Sequence, residues 1–124
     1  MPKNSMISIV DDDLSVREAL KDLIRAMGFS VETFASAEDF LGSGNLSQTG
    51  FLITDMRMPG MSGLDLHMRL LAMGTPVPMV LITAFADEKE KTRALQAGVL
   101  GYLTKPFNEV ELLAKIRSAL DGED

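Results

Sequence analysis

The chain has 124 residues, 46% hydrophobic and 24% charged, which suits one globular domain over residues 1–124 and argues against disorder. Eighteen Asp and Glu against twelve Lys and Arg leave a formal net charge of −6, which excludes a nucleic-acid module built on a broad basic face. The absence of cysteine excludes disulfides, thiol catalysis and cysteine-ligated metals, and the lone His67 excludes a multi-histidine site.

Apolar runs alternate with helix-period segments along the chain. Met6–Val10 reads as the first strand, β1. Val16, Ala19, Leu20, Leu23, Ile24 and Met27 then recur at helical spacing, predicting α1, with Asp13 as its N-cap and Gly28 as a left-handed stop. Ser30–Phe34 alternates in polarity, as an edge strand does, and becomes β2. Ser36 stands three residues before Asp39, the spacing of a helix start, here α2. Residues 51–54 predict β3, and Ser62 with Asp65 opens α3, on whose exposed face His67 is expected.

Residues 77–83 predict β4. Asp87 with Glu90 opens α4 (87–97), closed by Gly98, and its Glu88, Lys89, Glu90, Lys91 and Arg93 read mostly as a solvated face. Residues 99–104 predict β5. Asn108 with Glu111 opens α5, which carries Val110, Leu112, Leu113, Ile116 and Leu120 and is followed by the acidic residues 121–124. β1, β3 and β4 are nearly all apolar, as strands covered on both faces are.

Five β-α repeats imply parallel strands joined by right-handed crossovers. The expected fold is a flavodoxin-like three-layer α/β sandwich, sheet order 2-1-3-4-5 with five helices. Ligands of such sheets sit beyond the carboxyl ends of the strands. Asp11-Asp12-Asp13 end β1, Asp55 ends β3, Thr83 ends β4, and Thr104-Lys105-Pro106 end β5. Asp11, Asp12 and Asp55 placed together would raise one another's pKa. Lys105 or a hard cation can compensate, and Mg²⁺ suits a few carboxylates completed by water. One carboxylate can then attack a phosphoryl group to form an aspartyl phosphate, with Lys105 and the Thr83 hydroxyl on its oxygens.

These residues carry a resemblance. Val10-Asp11-Asp12, Ile53-Thr54-Asp55-Met56-Arg57-Met58-Pro59-Gly60-Met61-Ser62-Gly63, Thr83-Ala84 and Lys105-Pro106-Phe107 together resemble the receiver domain of bacterial two-component response regulators, over essentially the whole chain. Ser36-Ala37-Glu38-Asp39-Phe40-Leu41 and the run after Thr54 look most like FixJ-type receivers, which usually precede a LuxR-type DNA-binding domain. The resemblance implies that Asp55 is the phosphoacceptor, that Asp11 and Asp12 are metal-binding acids with Asp12 a direct ligand, and that the Arg57 backbone carbonyl completes a Mg²⁺ site. It implies that Lys105 contacts the phosphoryl group and that its bond to Pro106 is cis. Thr83 corresponds to the switch hydroxyl, and Tyr102 to the aromatic that follows it inward.

The implied partner is a sensor histidine kinase, the implied output surface is α4-β5-α5, and that surface implies a homodimer on phosphorylation. DNA enters only through an output domain not present in this chain, and the receiver is not an enzyme in the usual sense. Phe85 is large where the family is often polar, so Phe85 and Arg57 are expected to flank the acyl phosphate and screen it from water. No run approaches a membrane span of about 18 apolar residues, and MPKNSM lacks a signal peptide's apolar stretch, so a cytoplasmic location is expected. Three rival readings are a phosphorylation-independent docking module, an Asp-nucleophile phosphohydrolase and a flavin-binding module. Asp11-Asp12-Asp13-Leu14-Ser15 lacks the Thr of the haloacid-dehalogenase motif. Three Asp after β1 would repel a flavin phosphate.

Overall fold

The computed structural model describes residues 6–44 and 46–120. The acidic residues 121–124 lie outside the described residues. Five parallel strands form one sheet in the order β2-β1-β3-β4-β5. They are β1 (Met6–Val10), β2 (Ser30–Phe34), β3 (Thr49–Asp55), β4 (Met79–Thr83) and β5 (Gly101–Thr104). Between and after them run α1 (Leu14–Ala26), α2 (Ala37–Leu41), α3 (Gly63–Ala72), α4 (Glu88–Gln96) and α5 (Glu109–Leu120). The expected fold class and strand order therefore hold, with β2 at the sheet's edge as its alternation predicts.

The period-two geometry of a strand sorts the core into two layers. Ile7, Ile9, Phe51, Ile53, Val80 and Ile82 face one side and bury Leu20 and Ile24 of α1 with Leu112 and Ile116 of α5. Val10, Leu52, Met79 and Leu81 face the other and bury Phe40 of α2, Leu64, Leu66 and Leu70 of α3, and Ala94 of α4. β4 is buried throughout, which explains its apolar run from Met79 to Ile82.

Local chemistry sets the helix ends. Asp13 caps α1 by accepting from the amides of Ser15 and Val16, the capping role expected of it. Ser36, Asp87 and Asn108 accept from the amides of Asp39, Glu90 and Glu111. Among these starts the reciprocal capping box is complete at Ser62 and Asp65. Gly28 takes φ +93°, a conformation that a side chain would strain.

The boundaries differ where backbone chemistry intervenes. β4 begins at Met79, because Pro78 has no N–H to give a ladder. β3 starts earlier than its apolar run, at Thr49, whose neighbour on β1 is Met6. A 3-10 turn at Leu46–Gln48, unmarked by any apolar period, leads into it.

His67 corrects the sequence reading. It is buried, at 5% exposure, not on a solvated face. Its Nε2 lies 2.8 Å from the Ala97 carbonyl oxygen. A carbonyl only accepts, so Nε2 carries the proton and joins α3 to the end of α4. Its Nδ1 is buried without a partner. A polar residue spaced for a helix surface is buried here because the following α4–β5 turn folds over it.

Candidate functional site

Register brings the site together. Val10 pairs with Thr54, so Asp11 follows β1 beside Asp55 at the end of β3. Asp55 pairs with Ile82, which sets Thr83 one step further out on β4. Thr83 pairs with Thr104, so Lys105 leaves β5 at the same edge. Residues distant in sequence thus meet at the carboxyl ends of adjacent strands, about 5 Å apart.

A close approach completes the arrangement. Gly63 opens α3 with its amide on the Met56 carbonyl. A Cβ there would stand 2.6 Å from both the Asp55 carbonyl oxygen and a Leu81 methyl. Glycine therefore lets α3 begin against the backbone of Asp55 itself.

Carboxylate oxygens of Asp11, Asp12 and Asp55 lie within 4.8 Å of one another. Asp11 is buried, Asp12 exposed and Asp55 half-buried. Lys105 Nζ bridges two of them, 3.6 Å from Asp11 and 3.5 Å from Asp55. The Lys105–Pro106 bond is cis, as the resemblance implies. Asp11 is fixed further by the Asp13 amide, 2.9 Å from its Oδ1.

One cation does not balance three acids. Burial, then the Asp11 charge, push the Asp55 carboxyl up to about 6, against the lowering pull of Lys105. Burial likewise raises Asp11, opposed by the Asp13 amide and by Lys105. Both groups therefore have unmet demand for positive charge. Three hard oxygen donors, one of them open to solvent, fit a Mg²⁺ ion that keeps part of its water shell.

The other expected residues stand around this pocket. Thr83 is fully buried, and its hydroxyl accepts from the Phe85 amide at 3.2 Å, with the Phe85 carbonyl 3.4 Å away. It is therefore held by its own loop. The Tyr102 ring is already buried, at 8% exposure. Phe85 is 70% exposed, and the Arg57 guanidinium lies 3.2 Å from the Glu90 carboxylate.

Sequence reasoning missed two residues. Glu90 reads by spacing as part of the solvated face of α4, yet its side chain is 12% exposed and accepts from the Tyr102 hydroxyl at 2.5 Å. Its helix-start spacing from Asp87 was the one local signal, and that signal points to a cap, not to β5. Glu38 accepts from the Met61 amide at 3.1 Å and so supports the loop after Asp55. No spacing rule links α2 to that loop.

Comparison with known proteins agrees with the fold. The family described as response regulator receiver domain matches residues 7–117. Response regulator protein TodT of Pseudomonas putida is 47% identical over 116 residues, covering 94% of this chain and 51% of its own length. Transcriptional regulatory protein FixJ of Azorhizobium caulinodans is 35% identical over 120 residues, covering 97% and 57%. The chain spans about half the length of the curated relatives it matches. The solved structure of response regulator StyR matches with a TM-score of 0.87 at 45% identity, over 96% of this chain and 60% of that one. That of FixJ-N matches with 0.86 at 32% identity, over 98% of each. No helix among the described residues is long and apolar enough to cross a membrane.

Proposed function

The chain belongs to the response regulator receiver domain family, and from that premise we propose that it is a phosphorylation-operated switch with Asp55 as its phosphoacceptor. The observation that carries this reading is the juxtaposition of Asp11, Asp12 and Asp55 with Lys105 reaching two of them. Receiver domains bind Mg²⁺ at such an acidic pocket. In this chain Asp11, Asp12, Asp55 and the Arg57 backbone carbonyl would hold it. When bound, such an ion would supply positive charge to the crowded carboxylates and to an incoming phosphoryl group.

In the proposed reaction an Asp55 carboxylate oxygen forms a bond to phosphorus. The bond from phosphorus to the donor histidine nitrogen of a sensor kinase breaks, and that nitrogen keeps the electron pair. Lys105 faces the incoming phosphoryl oxygens and holds its own proton throughout. The Thr83 hydroxyl leaves its Phe85 partners to donate to a phosphoryl oxygen, and Tyr102 responds to the vacated space. The changed surface is α4-β5-α5, through which two copies would pair. The chain itself turns over no substrate. A cytoplasmic location goes with a kinase partner of this kind. The likeness to FixJ, a transcriptional regulatory protein, supports transcription as the output, exercised by a DNA-binding region outside these 124 residues.

Intact mass spectrometry after incubation with acetyl phosphate tests the reading. Wild type should gain one phosphoryl group with Mg²⁺ and none with a chelator, and Asp55→Asn should gain none. No gain in wild type under any condition would favour a phosphorylation-independent docking module.

A further inference from the structure

Glu90 is the meeting point of three elements. It lies in the first turn of α4, with its amide on the Asp87 cap. Its Oε1 accepts from the Tyr102 hydroxyl on β5, and its Oε2 lies 3.2 Å from the guanidinium of Arg57 in the loop after β3. The Tyr102 oxygen also accepts from the Asp87 amide at 3.3 Å, so one phenol ties β5 to both the cap and the first turn of α4. Arg57 is two residues past Asp55 and at most about 7 Å along the chain from it.

We propose that Glu90 is a positioning residue, a latch that holds Tyr102 and α4 in the unphosphorylated arrangement and is released when a phosphoryl group on Asp55 draws Arg57 away from it. The proposal rests on the phosphoacceptor reading of Asp55. A phosphoryl group carries up to about two negative charges and three acceptor oxygens, and a guanidinium matches it better than a single carboxylate. Arg57 is itself half exposed and free to swing, whereas Glu90 is nearly covered. Once Arg57 leaves, Glu90 is a nearly covered carboxylate without a cation, which is unfavourable. It turns to water and gives up the Tyr102 hydroxyl, which keeps only the Asp87 amide. The latch adds a route from Asp55 to α4 that does not pass through Thr83. Burial and the Glu90 bond raise the Tyr102 phenol to about 12, as expected for a hydroxyl donating to a carboxylate.

The chain supplies its own reporter, because it has one Tyr and no Trp. A phenol bonded to a carboxylate emits weakly, since its excited state loses the proton to that partner. Tyrosine emission and intact mass should be followed together during phosphorylation by acetyl phosphate with Mg²⁺. Wild type should gain the phosphoryl group and brighten in step. Glu90→Gln should start bright, brighten no further, and acquire the phosphoryl group roughly fivefold faster, the effect of replacing charge-assisted restraining bonds by weaker neutral ones. Arg57→Met, which keeps Glu90 but strips its cation, should also start brighter than wild type. A wild type that is phosphorylated by mass without brightening overturns the latch and leaves the phosphoacceptor reading standing. So does a starting emission in both variants equal to wild type. A wild type with no mass gain overturns both.

Discussion

Two charged clusters flank residues 55–57, and they balance their charge in opposite ways. At the strand ends, three carboxylates share Lys105, and both Asp11 and Asp55 are pushed towards their neutral forms. At the start of α4, Glu90 is matched by Arg57 and bonded by the Tyr102 hydroxyl. The first cluster is destabilised by its own crowding, and an added cation would relieve it. The second is satisfied as it stands and holds a conformation. Unmet charge marks where a ligand or a reaction is wanted, and met charge marks what resists change.

The same chemical substitution should therefore have opposite signs in the two places. Asp55→Asn should stabilise the metal-free protein at pH 7 by about 2–3 kcal/mol, read from urea unfolding. The sign follows from the raised pKa. Between pH 3.8 and about 6 the folded chain keeps a proton on Asp55 that the unfolded chain has released, so stability falls as pH rises through that window. The advantage of Asn should accordingly vanish below about pH 4, and a destabilised Asn variant at pH 7 would remove the contrast. Glu90→Gln should instead destabilise, by about 1 kcal/mol, because a covered hydrogen bond and a helix-start charge are both weakened.

Asp87→Ala should cost about 1 kcal/mol as well, through loss of the cap on the Lys89 and Glu90 amides. It leaves the Glu90 carboxylate on Tyr102, so its tyrosine emission should stay at the wild-type level. That separates loss of α4 stability from loss of the latch. The smallest effect is spectroscopic. The ultraviolet titration of Tyr102 should have its midpoint near 12, and Glu90→Gln should move it back towards the ordinary phenol value of 10.0. Between those two values the folded chain keeps a phenolic proton that the unfolded chain has lost. Stability should therefore fall as pH rises through the same window, and less so in Glu90→Gln.

Much of the fold was legible in particular residues. The unbroken apolar run of β4, the alternation of β2 and the paired starts at Ser36, Ser62, Asp87 and Asn108 each report a local rule that the chain obeys. The acidic pocket was legible too, because a parallel sheet brings every strand end to one edge. Asp11, Asp55, Thr83 and Lys105 needed only their position at a strand end to be gathered. His67, Glu38 and Glu90 were not legible in this way. Each sits where helical spacing suggests solvent, and each is claimed by a segment that no period connects to it.

By itself, then, the order of residues determined the elements, the layer each apolar side chain enters and the edge at which the acids collect. These follow from periods of 2 and 3.6 and from backbone sterics, which act over a few residues. Only the tertiary structure decided that Glu90 faces Tyr102 and Arg57 and that His67 is covered. Those pairings depend on how loops 57, 87 and 97 lie against one another, and side-chain reach across such loops is set by packing, not by spacing along the chain.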